Sequence, residues 1–95
     1  MDKETIYSKG DNFVATEVDE EIILMNLEDG HFFSLVSTSR RIWKLLDNIQ
    51  TLQNLCETLS AEFDVPLNQC QVDTAKLLEQ LIDQKFLNVQ TTISP

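Results

Sequence analysis

The sequence predicts an α+β domain in which a three-stranded antiparallel β-meander is followed by three α-helices. Two observations lead to this fold class. An Asp29-Gly30 pair lies between two short apolar runs, which is the pattern of a β-hairpin turn. Downstream of the hairpin, apolar residues recur at intervals of three and four, which is the period of an amphipathic helix. Ninety-five residues are enough for one such domain with a single hydrophobic core.

Three segments have the composition of strands. The first is 13–18, FVATEV, and the two strands of the hairpin run from Ile22 to Leu27 and from Phe32 to Val36. An acidic turn at 19–21 joins the first segment to the hairpin. Because short turns connect antiparallel neighbours, these segments predict a meander whose edges are the first and third strands.

The third strand is the less protected edge of this meander. Its segment 31–35, HFFSL, contains no Asp, Glu, Lys, Arg or Pro, whereas the first strand carries Glu17. Charges and prolines normally discourage another chain from pairing with an edge strand. The third strand is therefore either an aggregation hazard or a docking site for an extended peptide.

Three helices are predicted after the meander. Side chains that can cap a helix mark where each begins: Ser37, Thr38 or Ser39 for the first, Thr51 for the second and Asn68 for the third. The second helix ends at 64–66, DVP, and the third continues to about Gln84. Outside these elements we expect a flexible N-terminus at residues 1–11 and a flexible C-terminus at residues 90–95, so that the folded domain covers residues 12–89.

The apolar side of the third helix is broader than a small domain needs. A stripe of about 100° is enough to bury a helix. Here Ala75, Leu78 and Ile82 form one flank, and Leu77 and Leu81 extend the apolar surface beyond it. Either the sheet and the other helices wrap this helix from two sides, or Leu77 and Leu81 line a groove beside the third strand.

The charge of the chain argues against two classes of partner. Sixteen acidic and seven basic residues give a net charge of −9, which repels phosphate backbones and anionic lipids. No apolar run approaches the roughly 20 residues that span a bilayer, and the N-terminus has no apolar signal core. We therefore expect a cytoplasmic protein that binds neither nucleic acid nor membrane.

Three of the seven basic residues, Arg40, Arg41 and Lys44, fall in one short helical stretch. They either balance nearby acidic side chains or form a docking patch for a partner protein.

No group of residues predicts catalysis, a cofactor or a metal site. His31 is the only histidine, and Cys56 and Cys70 neither form a C-x-x-C motif nor have a histidine at ligand spacing, so we expect buried thiols. Two glycines, Gly10 and Gly30, do not make a phosphate-binding loop.

The succession of motifs resembles the PqqD family, over roughly residues 12–88. The residues that carry the resemblance are Ile22-Ile23-Leu24, Glu28-Asp29-Gly30, Phe32-Phe33, Leu35, the segment 41–47 (RIWKLLD), Asp73, Leu77-Leu78 and Leu81. This family includes the pyrroloquinoline quinone synthesis protein D and the recognition elements of ribosomally made, modified peptides. The resemblance implies a winged-helix-like domain that binds the leader of a precursor peptide along its third strand and third helix.

The resemblance also implies a site. The main chain of His31, Phe32, Phe33, Ser34 and Leu35 would pair with the leader, and a side-chain wall would consist of Asp73, Lys76, Leu77, Gln80, Leu81 and Gln84. Trp43, the family's tryptophan, is interpreted as a core residue. The implied partners are the precursor leader and a separate maturation enzyme, a leader peptidase or a radical SAM enzyme. The alternatives are a DNA-binding winged-helix regulator, which the acidic third helix disfavours, and a structural subunit of a partner enzyme.

Overall fold

The computed structural model describes residues 3–48 and 50–93. In chain order the elements are β1 (Lys3–Lys9), β2 (Phe13–Val18), β3 (Glu21–Asn26), β4 (Phe32–Val36), α1 (Ser37–Leu45), β5 (Gln50–Thr51), α2 (Leu52–Phe63), α3 (Leu67–Asp83) and β6 (Leu87–Ile93). One sheet has the order β2-β3-β4 and the other the order β5-β1-β6. The predicted meander of three antiparallel strands followed by three helices is confirmed, and the third predicted strand is β4.

The strands of the meander divide their side chains between the core and the outer face. On β3 the side chains of Ile22, Leu24 and Asn26 are buried, and those between them are partly exposed. On β4 the side chain of Leu35 is buried, whereas Phe32 is 67% exposed. This alternation is that of a sheet with one face packed against helices.

The connection between β3 and β4 is longer than the tight turn predicted at Asp29-Gly30, and it includes Leu27 and His31. Asn26 organises it. Its side-chain oxygen accepts hydrogen bonds from the amides of Glu28 (2.7 Å) and Asp29 (3.3 Å), and its carbonyl accepts one from Gly30 (2.8 Å). These bonds curl the chain immediately after β3, so Leu27 and His31 are loop residues. Gly30, with a φ of 78°, supplies the left-handed conformation that the loop requires.

The second sheet corrects the expectation of flexible termini. Residues 3–9 pair along their whole length with residues 87–93, and β1 also pairs with β5. Both terminal segments contain β-branched and aromatic residues, TIY in the first and VQTTI in the second, which favour a strand once a partner is available. Residues 1, 2, 94 and 95 lie outside the described part of the chain.

The helix boundaries confirm one predicted cap and correct another. Thr51 Oγ1 accepts a hydrogen bond from the amide of Asn54 (3.1 Å), as predicted for the start of α2. The predicted cap Asn68 is wrong, because α3 begins at Leu67 with Pro66 as its N-cap. The side chain of Asn68 accepts from the amide of Gln69 (2.9 Å) within the first turn instead.

A single core joins the meander to the helices. Trp43, 3% exposed, is a core residue as predicted, and the edge of its ring lies against Phe13 with centroids 5.3 Å apart. Phe86 is fully buried and packs against Phe13, His31 and Phe33 at centroid distances of 5.9, 5.6 and 6.2 Å. Phe86 therefore holds the end of α3 against both β2 and β4.

Lys85, two residues after the end of α3, has a conformation that favours glycine. Its φ is 70°, and the amides of Lys85 and Phe86 donate to the carbonyls of Ile82 (3.0 Å) and Leu81 (2.8 Å), which is the hydrogen-bond pattern of a Schellman motif. Lys85→Gly is expected to raise the free energy of unfolding by about 0.5–1 kcal/mol, because glycine has no Cβ to strain this conformation. Urea denaturation measures the change. The matched control is Lys85→Ala, which removes the same side chain but keeps Cβ; an equal gain in both variants would contradict the explanation.

Candidate functional site

β4 has a free edge. Within the described residues its only strand partner is β3. The amide of Asn26 donates to the carbonyl of His31 (2.9 Å), so these two residues form a hydrogen-bonded pair between the antiparallel strands. Because hydrogen-bonded and non-hydrogen-bonded pairs alternate between antiparallel strands, the main-chain groups of Phe33 and Leu35 face β3. Those of the remaining β4 residues, Phe32, Ser34 and Val36, face the open edge.

Contacts with α3 lie near both ends of β4. At the start of β4, the Asn26 side-chain nitrogen donates to the carbonyl of Gln84 (3.0 Å) at the end of α3. Beyond the end of β4, Ser39 lines the same groove as Asp73 and Leu77 of α3. Asp73 and Leu77, which are four residues apart, therefore lie on the side of α3 that borders this groove.

The groove has a volume of about 260 Å³ and lies between the three helices; Thr38 and Ser39, just after β4, are its first lining residues. Its lining is mostly apolar and consists of Thr38, Ser39, Ile42, Leu59, Phe63, Val65, Gln69, Cys70, Asp73, Thr74 and Leu77. The side-chain amide of Gln69 donates to both oxygens of the Asp73 carboxylate, at 3.1 Å each. Small-molecule pockets usually measure about 300–1,000 Å³, so this cavity has a size suited to one or two peptide side chains.

The structure separates the predicted wall residues into four groups. Gln84 stands alone, and its carbonyl accepts the hydrogen bond from the Asn26 side chain. Asp73 and Leu77 line the groove. Lys76 and Gln80 lie instead on a shallow, polar depression that they share with Glu79 and Asp83. Leu81 is wrong as a wall residue: its exposure is 0%, because it lies on the core side of α3.

Sequence reasoning missed the part of the groove that α1 and α2 contribute. Ile42, Leu59 and Phe63 have the spacing of ordinary core residues, and spacing alone does not tell which core positions border a cavity. The structure leaves Phe63 45% exposed and Val65 37% exposed at the end of α2. Only the packing of three helices assembles these residues into one groove.

The basic residues of α1 are each paired with an acidic side chain. Arg40 and Lys44 both bind Glu17, Lys44 at 3.2 Å, and the guanidinium of Arg41 makes two hydrogen bonds to Glu62, at 2.9 and 2.7 Å. Hydrogen bonds from Arg40 and Lys44 lower the pKa of Glu17, and the hydrogen bond from Arg41 lowers the pKa of Glu62. This pairing agrees with the alternative in which the cluster balances nearby acids; the docking patch stays a prediction.

The described residues contain no group of three or more His, Cys, Asp or Glu side chains placed to hold a metal ion. Cys56 and Cys70 are buried free thiols, as predicted. In the described part of the chain, no helix has the length and apolar character needed to cross a membrane.

Comparison with known proteins gives a family and two structural neighbours. The family model of coenzyme PQQ synthesis protein D (PqqD) matches residues 21–87. The structure of TbiB1 in complex with the TbiA(beta) leader peptide is 26% identical, with a TM-score of 0.79 over 85% of this chain and 94% of that chain. A lasso peptide synthetase B1 complexed with the leader peptide is 17% identical, with a TM-score of 0.78 over 86% and 96% of the two chains, and shows the same fold. No curated protein matches the sequence.

Proposed function

The chain belongs to the PqqD family, and from this premise we propose that it is a non-catalytic module that binds the leader segment of a ribosomally synthesised precursor peptide. The leader adds as a strand to the free edge of β4 and places side chains in the adjoining groove. The module then presents the precursor to a separate maturation enzyme, a leader peptidase or a radical SAM enzyme.

The observation that carries this proposal is an open strand edge that ends two residues before Thr38, the first lining residue of an apolar groove. Strand addition draws its affinity from main-chain hydrogen bonds and its specificity from pockets that receive alternate side chains. The main chain of Phe32 and Ser34 can provide the hydrogen bonds, and the cavity lined by Leu77 and Asp73 can provide the pocket. The neighbour with 26% identity was solved with a leader peptide, which supports the same class of ligand here.

Charge favours a peptide over the DNA of the alternative winged-helix interpretation. A recognition helix needs basic side chains that follow the phosphate backbone. The exposed face of α3 carries Lys76 beside Glu79 and Asp83, so acidic side chains outnumber basic ones there. The groove itself contributes Asp73 and no Lys or Arg.

The test is an amide-resolved NMR titration with a synthetic peptide of the cognate leader. We expect the largest shift changes at Phe32 and Ser34 of β4 and at Asp73 and Leu77 of α3, because these residues border the added strand. A DNA duplex of random sequence, titrated at the same ionic strength, is the control and should leave these amides unchanged. Leader-induced shift changes confined to β2 or to the basic face of α1 would contradict the proposal.

A further inference from the structure

The free edge of β4 is closed at its last residue by the side chain of Ser39. The amide of Val36 donates to Ser39 Oγ (2.8 Å), and the Ser39 hydroxyl donates to the carbonyl of Val36 (2.7 Å). Both main-chain groups of Val36 belong to the set that faces the open edge. An incoming strand therefore meets two residues with open main-chain groups, Phe32 and Ser34, and then a residue whose groups are already bonded.

We propose that Ser39 is a positioning residue that stops the added strand after Ser34 and thereby fixes the register of the bound leader, an inference that rests on the proposed function. The same side chain also lines the groove, so the stop lies where the groove opens. A leader that has paired with Phe32 and Ser34 finds no partner at Val36 and turns into the groove at this point.

The stop matters because a main-chain ladder alone does not select a register. Successive residues of a strand point to opposite faces and are about 3.3 Å apart. A slip of one residue turns the side chain meant for the groove to the outer face, and a slip of two moves it by about 6.6 Å. Only Phe32 and Ser34 have open main-chain groups, and the groove lies at a fixed position beyond them. One register therefore lets the leader pair with both residues and also place the correct side chain in the groove.

The experiment is amide hydrogen exchange on the full chain, free and bound to the synthetic leader peptide, for the natural protein, Ser39→Ala and Ser39→Thr. In the free natural protein, the amide of Val36 should exchange more slowly than those of Phe32 and Ser34. Leader binding should slow amide exchange at Phe32 and Ser34 at least tenfold and change the exchange rate at Val36 by no more than about twofold. In Ser39→Ala the Val36 amide should exchange fast in the free protein and slow at least tenfold on binding, because the ladder now extends to it. Ser39→Thr keeps the hydroxyl and should behave as the natural protein.

Two results would contradict the proposed role of Ser39 in ending the added strand without contradicting the proposed function. One is protection of Val36 in the natural complex that equals the protection of Ser34, which would mean that the leader displaces Ser39. The other is a Val36 amide that stays unprotected in the complex of Ser39→Ala. A leader that binds without slowing amide exchange at Phe32 or Ser34 would instead contradict strand addition itself. The measurement on the natural protein decides the question even where Ser39→Ala loosens the start of α1.

Discussion

Ser34→Pro is expected to weaken leader binding strongly while the domain stays folded. The amide of Ser34 faces the open edge of β4 and has no partner among the described residues, so proline removes a donor that only the added strand uses. The loss leaves a leader carbonyl without its donor, which costs about 1–3 kcal/mol. This raises the dissociation constant about 5-fold to 150-fold. Isothermal titration calorimetry measures the affinity, and circular dichroism reports the fold.

Two control variants separate the amide from the side chain and from the sheet. Ser34→Ala removes the hydroxyl that binds Glu21 but keeps the amide, and it should bind the leader nearly as well as the natural chain. Leu35→Pro removes an amide that faces β3 and disturbs a fully buried side chain, so it should unfold the domain. Full leader affinity in a folded Ser34→Pro variant would place the leader on another surface.

The sequence predicted the local parts of this fold better than the distant pairings. The meander and three helices follow from short-range patterns, and Thr51 caps α2 through a residue only three positions away. The pairing of β1 with β6 joins the two ends of the chain, and no local pattern in residues 3–9 names residues 87–93 as their partner. Both segments have the composition of strands, but a strand without a visible partner is hard to tell from an irregular terminus.

For the candidate site too, the sequence predicted local features better than features that depend on distant contacts. The sequence predicted that the third strand is an unprotected edge, because protection of an edge is a property of its own residues, and β4 is an edge within the described residues. That the leader binds there stays a prediction. Two features depend on contacts that the sequence does not reveal. Asn26 is buried and ties the β3–β4 loop to Gln84, and Ser39 bonds back to Val36. A single polar residue at a strand end or in a first helical turn is common, and only the fold shows that these two define the ends of the open edge.

The broad apolar face of α3 separates into a core side and a groove side, which predicts different outcomes for two leucines. Leu81 is fully buried, so Leu81→Ala should lower the free energy of unfolding by about 2–5 kcal/mol, a large share of the about 5–15 kcal/mol of a typical domain. Leu77 is only partly buried and lines the groove. Leu77→Ala should cost less than Leu81→Ala in stability and more in leader affinity. Urea denaturation and calorimetric titration, at a temperature where both variants are folded, measure the two quantities.

Leu81→Met and Lys76→Ala complete this comparison. Methionine nearly conserves the volume of leucine, so Leu81→Met should stay within about 1.5 kcal/mol of the natural stability and keep full leader affinity, because this side chain does not reach the groove. Lys76 lies on the polar depression outside the groove, and Lys76→Ala should leave both quantities unchanged. If Leu77→Ala kept full leader affinity while Lys76→Ala lost it, the leader would contact the outer face of α3. The groove between the helices would then be a packing defect rather than the pocket that selects the leader.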